Sequence, residues 1–502
     1  MSDKDILEQL RQAGGMRGRW STPQTPNDSI TGTLSLSKDG RMELTIEREV
    51  TPAEGFRSMF SPPGEPIPLL IGQLNEGAFC TLKGLVLTRK LPYSFSAQVL
   101  SQVYSAQYAL FGAQIDDLAE FKIRNISLWL PVLMDWTKTA CCSVSHQGLK
   151  LVIETEPLQT MSLGEAGTFT AEIRVAAGWS TNAIPSQIPS VVPESRIQVS
   201  FSEPPLLESA TKLIPLMLSF FSLATLSAVR VSSFTCESDS AEPMMPTDNG
   251  ERPSYHPIMV WYRGLSQDIS YDGLSDANMF FTYSDLKESG ILDALVKTLV
   301  RYDEFDHLLP LLVPESGDFY SYSRQRFLNA MQSLEYLDRM AGHSAVLASD
   351  EFEARKKEIL EGVQGSIRSW LTEKLQYANE PNLRKRMKNI VLKNVELLQT
   401  TADEQDRLVD NAVKTRNYLV HLDSEAREGA ILDGRLIELT DKAEALARLS
   451  FLRAIGFSEE RLRVLLSHND RSYMRRMKAM FRSSGEMAKA SELAEGNDAQ
   501  DN

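Results

Sequence analysis

The chain is 502 residues long, which predicts two or three domains rather than one. Hydrophobic residues account for 42% of it and charged residues for 24%, the proportions of an ordinary soluble globular protein. The net charge of −14 at pH 7 argues against a general nucleic-acid-binding protein, because such proteins carry a basic face that neutralises phosphates. Only a basic cleft confined within an acidic body would be compatible with RNA binding.

The cysteines and the N-terminal residues indicate the cellular compartment of the protein. None of the four cysteines has the CxxC or Cys/His spacing of a zinc site, so we expect no metal and no other cofactor. Unpaired cysteines are typical of a reducing cytoplasm. The segment from Met1 to Arg11 is charged and polar and lacks the apolar core of a signal peptide. We therefore expect a cytoplasmic protein that makes no use of a membrane.

Residues 1–280 show the two-residue hydrophobic period of β-strands. Residues 34–36 and 42–46 alternate between apolar and polar on either side of Lys38-Asp39-Gly40, which predicts a β-hairpin. The same alternation predicts strands at 149–154, 169–175 and 196–201, and Pro185, Pro189 and Pro193 punctuate the connection before the last of these. The pattern indicates a β-rich region of the sandwich or barrel type with a few added helices.

Two segments of this region are predicted to differ from the strands around them. Residues 213–226 are apolar but too short to span a bilayer, so they predict a buried helix that packs against the β domain. Residues 237–253 are acidic, contain proline and have few apolar side chains, which predicts a mobile loop. The sheet is expected to resume at residues 256–262.

From residue 281 the hydrophobic period becomes 3.6, which predicts an all-α bundle over residues 281–482. The candidate helices cover residues 284–301, 323–341, 350–377, 382–399, 402–421, 434–454, 458–467 and 470–482. Residues 483–502 are too acidic and polar to contribute to a core and predict a disordered tail. The predicted fold class is therefore α+β multidomain, with a β-rich N-terminal region followed by a helical bundle.

The helix predicted at 402–421 carries a set of groups suited to RNA cleavage. Thr401 and Glu404 have the spacing of a capping box and mark its start. Near its end lie Arg416, Asn417 and His421. An imidazole can transfer a proton near neutral pH, a guanidinium can bind two phosphate oxygens at once, and an amide can orient either group. This chemistry requires no metal ion.

Arg416 interrupts the apolar side of this helix. Residues 408–409, 412–413 and 419–420 recur at three- and four-residue spacing, and Arg416 lies between the last two pairs. Burial of a lone charge is costly, so Arg416 is expected to have a partner, to line a wet cleft or to lie at a subunit interface. An Arg-x4-His match also arises readily by chance, which leaves a structural ion pair or a solvated helix end as alternatives for Arg416 and His421.

Two basic clusters on the predicted helices are candidates for RNA binding. They contain Arg384, Lys385, Arg386 and Lys388 before the motif helix, and Arg475 and Arg476 on the last helix. Charge runs on helices are more often solvated faces, and that alternative stays open for both clusters.

The pattern Arg416-Asn417-x-x-x-His421 resembles the signature of HEPN domains, the all-helical ribonucleases of prokaryotic defence and toxin systems and of RNA-cutting CRISPR effectors. Residues 327–337 resemble an earlier core helix of that family, whose acidic residue, here Glu335, tends to face the motif.

The beginning of the chain resembles a second domain. Gly18-Arg19-Trp20 with Pro23, and Gly32-Thr33-Leu34-Ser35-Leu36 with Gly40, resemble the opening of the ApeA N-terminal domain. Residues 50–280 match that domain only in general pattern. The pairing of the two domains is more specific than either half, and it identifies the chain as a member of the ApeA-type abortive-infection family.

The resemblance implies an anti-phage endoribonuclease in which the ribose 2′-hydroxyl attacks the adjacent phosphate. His421 would move or position the 2′-hydroxyl proton, Arg416 would stabilise the charge on the phosphorane, and Asn417 would hold the imidazole or the phosphate. Glu335 would support this set from the neighbouring helix.

The same resemblance implies partners for the chain. Two motif helices would meet in one composite cleft of a homodimer or larger homo-oligomer, and the N-terminal region would sense a phage-encoded trigger protein. The substrate would be RNA, with tRNA as one expectation because few cuts in it stop translation.

Two other functions fit the sequence. A HEPN-like bundle could serve as a non-catalytic binding or scaffold module, and such a module would tolerate His421→Ala. Alternatively, a carbohydrate- or ligand-binding β module could be joined to a helical oligomerisation domain, which would bind its ligand and leave RNA intact.

Overall fold

Antiparallel strands form most of the first half of the chain. The computed structural model describes residues 3–12, 14–49, 66–75, 77–90, 99–148, 150–180, 190–231, 233–238, 244–247, 250–253, 257–263, 274–313, 323–342, 345–422, 427–468 and 470–481. The strands are β1 (Met16–Ser21), β2 (Ile30–Leu36), β3 (Met42–Glu49), β4 (Ile67–Leu74), β5 (Phe79–Lys90), β6 (Val99–Ser105), β7 (Tyr108–Phe111), β8 (Asn125–Trp129), β9 (Cys142–Gln147), β10 (Lys150–Thr155), β11 (Gln159–Ala166), β12 (Phe169–Ser180), β13 (Ser190–Phe201), β14 (Phe234–Glu237), β15 (Met244–Thr247), β16 (Gly250–Pro253) and β17 (Ile258–Tyr262).

Six of these strands close into a barrel in the order β5-β4-β1-β2-β3-β6, because β6 pairs with β3 on one side and with the second half of β5 on the other. The first half of β5 also pairs with β7, and from there the sheet continues through β17, β14, β8, β13 and β12 to β11. The predicted β-rich region is therefore confirmed as a barrel with additional strands, and the hairpin predicted around Lys38-Asp39-Gly40 joins β2 to β3.

Trp20 lies in the barrel core with its side chain fully buried. Its indole nitrogen donates to the Gly32 carbonyl at 3.4 Å. A Cβ at Gly72 would lie 2.3 Å from the Trp20 ring, and one at Gly32 would lie 3.1 Å from it. Since protein interiors are close-packed, these two glycines provide the space that the indole occupies.

Helices form most of the described part of the second half of the chain, and the described part of the first half contains four more. Those in the described residues are α1 (Asp3–Arg11), α2 (Val132–Thr137), α3 (Leu207–Thr211), α4 (Leu213–Thr225), α5 (Tyr283–Glu288), α6 (Ala294–Val300), α7 (Tyr302–Phe305), α8 (Leu309–Leu312), α9 (Ser323–Met340), α10 (Ser349–Glu361), α11 (Gly365–Leu375), α12 (Leu383–Lys393), α13 (Val395–Leu398), α14 (Ala402–His421), α15 (Arg435–Ala454) and α16 (Glu459–Ser467). Residues 472–481 are also helical. The tail predicted at 483–502 lies outside the described residues.

Three predicted helices are interrupted in the structure. The helix predicted at 350–377 is two helices, α10 and α11, and Gly365 at the start of the second has a φ of +68° that favours glycine. Gly290, at +68°, similarly follows α5 inside the helix predicted at 284–301. The helix predicted at 382–399 breaks at Asn394, whose buried amide donates to the Ile390 carbonyl at 2.8 Å.

The described residues form two units by their internal contacts. A β unit comprises residues 1–215 and 229–273, and a helical unit comprises residues 216–228 and 274–502. Most of α4 therefore belongs to the helical unit by its contacts, whereas its first three residues belong to the β unit. The Phe220 and Phe281 rings meet edge to face at 5.6 Å, and the Ala224 carbonyl accepts from the backbone nitrogens of Phe280 and Phe281. These contacts hold α4 within the helical unit.

Residues 207–225 are long and apolar enough to cross a membrane, but 67% of that apolar window is buried inside the protein. Leu213, Ile214, Phe220 and Phe221 are among its buried side chains. This burial is that of a core helix.

Part of the predicted loop at 237–253 is a strand pair. β15 and β16 form a small hairpin of their own, and Glu237 is the last residue of β14. Pro193 was expected in a connection but lies in β13, opposite Ala177 of β12. The described pairs of β13 with β8 begin only at Arg196, so Pro193 has one described neighbouring strand. A proline, which has no backbone N–H, is tolerated at such an edge position. Pro185, Pro189 and His256 lie outside the described residues.

Candidate active site

The motif helix α14 begins and ends where its sequence predicts. The backbone nitrogen of Thr401 donates to Glu404 Oε2 at 2.8 Å, and the Thr401 side chain accepts from the Glu404 nitrogen, which completes the capping box. The helix runs to His421, and Leu422 ends it in the left-handed conformation with a φ of +52°.

One side of α14 packs into the helical unit. Val409, Ala412, Val413 and Thr415 are buried, and the Thr415 hydroxyl accepts from the Ile431 backbone nitrogen at 3.0 Å. This bond holds the returning chain against the helix. Thr415 was not singled out from the sequence, although it continues the buried row one turn before Leu419.

The apolar stripe does not continue to the end of α14 as predicted. Leu419 is only partly buried, and Val420 and Leu422, on either side of His421, are exposed. The prediction that Val420 continues the packed stripe is wrong, because about half of its side chain, 49%, is exposed. Val420 and Leu422 therefore form exposed apolar surface next to His421.

Arg416 is the centre of the site. Its Nη2 atom forms an ion pair with Glu335 Oε1 on α9 at 3.2 Å, and both side chains are about a quarter exposed. Its Nη1 atom donates to Asn417 Oδ1 at 3.4 Å and lies 3.5 Å from His421 Nε2. Arg416 therefore has the partner that its position on the packed side predicts, and its guanidinium connects all four side chains.

The Arg416 guanidinium lies within hydrogen-bonding distance of both the imidazole and the amide. A guanidinium is donor only, so its approach to His421 Nε2 is favourable when that nitrogen carries a lone pair and the proton is on Nδ1. His421 itself is exposed at the helix end. The arrangement presents a cation, an amide and a proton acceptor together at one solvent-facing surface.

Arg386 does not belong to an RNA-binding surface. Its side chain is 2% exposed and pairs at 3.3 Å with Asp338, which is 1% exposed. Because a guanidinium buried with a carboxylate cannot reach a phosphate in solvent, the prediction for Arg386 is wrong, and this residue links α12 to α9 inside the helical unit.

The other members of the first basic cluster are exposed. Arg384 and Lys388 face α14, where they pair with Asp410 and Asp406, while Lys385 lies at the surface. Hydrogen bonds from Lys414 and Arg384 hold the pKa of Asp410 below its ordinary value. These pairs show that α12 runs antiparallel to α14 and that part of the cluster's charge is already neutralised.

The second basic cluster lies at the surface of the helical unit. Arg475 and Arg476 are exposed on the helix at 472–481, and the Arg476 guanidinium lies 5.8 Å from the centre of the Tyr473 ring. Arg471, just before them, is instead buried with Asp285 at 2.8 Å. Arg475 and Arg476 are therefore the more available of the predicted RNA contacts.

Two family models match the chain. ApeA N-terminal domain 1 matches residues 15–293, and Apea-like HEPN matches residues 328–461. The first match alone covers more than half of the chain. The chain belongs to the ApeA family. The two matches together give the predicted ApeA-type architecture, which confirms the resemblance at both ends and extends it through the middle of the β unit.

The ApeA-family matches describe an anti-phage defence protein with a ribonuclease-type HEPN domain. All four residues of the site, Glu335, Arg416, Asn417 and His421, lie within the HEPN match. HEPN domains generally bind RNA and often dimerise. No curated protein and no solved structure matched the chain in the corresponding comparisons.

Proposed function

We propose that this ApeA-family chain is a metal-independent endoribonuclease of anti-phage defence and that Arg416, Asn417 and His421 carry the reaction. The observation that supports this most directly is the contact of one guanidinium with Glu335, Asn417 and His421 at an accessible surface. A solvated helix end would not need a second helix to position its arginine.

The proposed reaction is an internal transesterification of RNA. The 2′-oxygen forms a bond to the adjacent phosphorus while the bond from phosphorus to the 5′-oxygen breaks. His421 accepts the proton of the 2′-hydroxyl. The departing 5′-oxygen takes a proton from the His421 imidazole of a second protomer or from water. The products are a 2′,3′-cyclic phosphate and a 5′-hydroxyl.

Arg416 would act on the charge that develops during this step. Its guanidinium can bind two non-bridging phosphate oxygens, which carry more negative charge in the phosphorane than in the substrate. Asn417 would hold the phosphate or the imidazole. Glu335 would keep Arg416 oriented before RNA binds, which makes it a positioning residue.

The proposed cleft contains two copies of α14. Val420 and Leu422 expose apolar surface on either side of His421, and such surface next to a polar site is typical of a protein interface. A partner protomer in this position would bring a second Arg416 and His421 to the same phosphate. One imidazole could then accept a proton while the other donates one.

The β unit would control the nuclease activity of the helical unit. We propose that the β unit senses a phage-encoded trigger protein and that the enzyme acts in the cytoplasm, on tRNA among other RNAs. Arg475 and Arg476 are the proposed RNA contacts outside the site, with Lys385, Arg384 and Lys388 as secondary ones.

The test is cleavage of total cellular RNA and of purified tRNA in EDTA, with and without lysate from phage-infected cells. Wild type is expected to generate new 5′-hydroxyl ends, and His421→Ala is expected to lose at least about 100-fold of this activity. His468→Ala, in which another partly exposed histidine of the helical unit is removed, is the matched control. Equal cleavage by wild type and His421→Ala, or no cleavage by wild type in any condition, would favour a binding or scaffold module.

A further inference from the structure

Three neighbouring strands of the β unit align two arginines and a tryptophan across one face of the sheet. The strand register places Arg174 of β12 directly opposite Arg196 of β13, and Arg196 directly opposite Trp129 of β8. Directly paired residues of antiparallel strands point to the same side of the sheet. Arg174, Arg196 and Trp129, called the arginine row below, are therefore neighbours in space.

The arginine row lies on the face of these strands that solvent reaches. Ile173, Ile197 and Leu128, each one residue away from a member of the row, are fully buried in the core. Successive residues of a strand face opposite sides, so the row points away from that core. All three of its side chains are partly exposed. A ligand in solvent can therefore reach the row.

Arg196 has no anionic partner among the described residues. Its guanidinium donates no hydrogen bond to them and forms no ion pair with their carboxylates. The guanidinium carbon lies 5.8 Å from the centre of the Trp129 ring. Arg174, in contrast, pairs with Glu172 on its own strand, through Nε at 2.6 Å and Nη2 at 2.5 Å. The five N–H donors of Arg196 are therefore available to a ligand.

The surroundings of Arg196 disfavour its charge. Like charges directly opposite each other destabilise an antiparallel strand pair, and Arg174 stands in that relation to Arg196. Burial lowers the pKa of Arg196 and Arg174 lowers it further, while Glu194, Glu237 and Glu172 act in the opposite direction without restoring it. An anion bound at the two guanidiniums would supply the compensation that these carboxylates do not.

The groups of the row match the parts of a nucleotide. A guanidinium binds two phosphate oxygens at once, so two neighbouring guanidiniums suit a phosphate group. An indole ring offers a flat surface on which a base can stack. Gln198, two residues after Arg196 on the same strand and partly exposed, adds an amide that can bind a base edge or a sugar hydroxyl. A carboxylate ligand would leave the indole unused.

We propose that the arginine row is a nucleotide-binding site of the β unit, with the phosphate at Arg196 and Arg174 and the base against Trp129. A free nucleotide and a nucleotide within single-stranded RNA present the same groups, and both fit the site. The row lies outside the helical unit, and none of its residues takes part in the reaction proposed for α14. The inference therefore does not depend on the nuclease.

The test is isothermal titration calorimetry of the full-length protein with AMP, ribose 5-phosphate, adenosine and a short single-stranded RNA. The RNA titration uses His421→Ala, so that the strand stays intact. AMP is expected to bind more tightly than ribose 5-phosphate, which lacks the base, and than adenosine, which lacks the phosphate. Arg196→Met is expected to weaken AMP binding at least about 10-fold, because it removes charge-assisted hydrogen bonds.

Arg89→Met is the matched control, because it removes an exposed arginine from another strand of the β unit, where Arg89 pairs with Glu43. It should bind every ligand like wild type. Arg174→Met is an independent variant that should weaken AMP binding in the same direction as Arg196→Met. Circular dichroism and thermal unfolding check that each variant is folded.

Two outcomes support the site and distinguish the source of the nucleotide. AMP binding that Arg196→Met weakens indicates a free nucleotide, whereas RNA binding that Arg196→Met weakens in a protein that binds no AMP indicates a nucleotide within a strand. The proposal is overturned if a folded Arg196→Met protein changes the affinity for neither AMP nor RNA, or if adenosine or ribose 5-phosphate binds as tightly as AMP. Absence of RNA cleavage by wild type would refute the nuclease and leave this site in place.

Discussion

Glu335 and Arg416 lie on different helices, and their side chains meet at 3.2 Å beside His421. The contact joins α9 to the end of α14, so the guanidinium is oriented by a residue that takes no part in the motif itself. Partly exposed ion pairs contribute about 1 kcal/mol or less to stability, so the energetic importance of this pair for folding is small. Its importance for function rests on the direction in which it points Arg416.

Glu335→Gln is predicted to lower RNA cleavage by roughly 10- to 100-fold, since a small misplacement of a catalytic group costs about that much. The free energy of unfolding should change by less than about 1 kcal/mol. Single-turnover cleavage and denaturant unfolding measure the two effects. Glu396→Gln removes a more exposed ion pair with Arg463 in the same unit and should leave cleavage unchanged. Equal cleavage by the two variants would mean that Glu335 does not position Arg416.

Arg386→Ala is predicted to destabilise the helical unit by about 3–5 kcal/mol, because it leaves the buried carboxylate of Asp338 without its guanidinium. Arg386→Met combined with Asp338→Leu should recover most of this loss, since neither charge then stays buried. Denaturant unfolding measures both variants. Lys385→Ala, an exposed neighbour, should change stability by no more than about 0.5 kcal/mol. A normal stability for Arg386→Ala, accompanied by weaker RNA binding, would restore Arg386 as an RNA contact.

Arg475→Ala combined with Arg476→Ala is predicted to weaken RNA binding several-fold while the cleavage rate at saturating RNA stays close to wild type. Loss of two phosphate contacts should lower the slope of log K against log salt by roughly 1 to 2. Binding titrations at several salt concentrations measure this slope. Arg435→Ala removes an exposed arginine that pairs with Asp433 and should leave the slope unchanged. An unaltered slope in the double variant would make the helix at 472–481 a solvated face.

Val420→Asp is predicted to weaken the dimer and to reduce cleavage at low protein concentration, because a carboxylate next to His421 would have to be buried against the partner. Sedimentation and cleavage at matched concentrations measure both effects. Val464→Asp places the same charge on another exposed valine of the helical unit, on α16, and should alter neither. If both variants behave like wild type, the end of α14 does not face a partner.

The order and type of the main elements could be predicted from the sequence because they depend on local patterns. Alternation of apolar residues located the hairpin of β2 and β3, and the capping box of Thr401 and Glu404 located the start of α14. The spacing of Arg416, Asn417 and His421 placed them at one helix end for the same reason. The secondary structure that a segment prefers depends mainly on residues within a few positions along the chain.

Only the tertiary structure decided which partners these residues have. Arg384 and Arg386 are two positions apart in the same basic run, yet the first is exposed and the second is buried with Asp338. Likewise α4 was predicted as a buried helix from its composition, but only the structure shows that its Phe220 ring meets the ring of Phe281 in the helical unit. The type of side chain determines whether it will be buried or paired. Which residue it contacts is determined by the packing of distant segments, because the free energy of burial has no preferred direction.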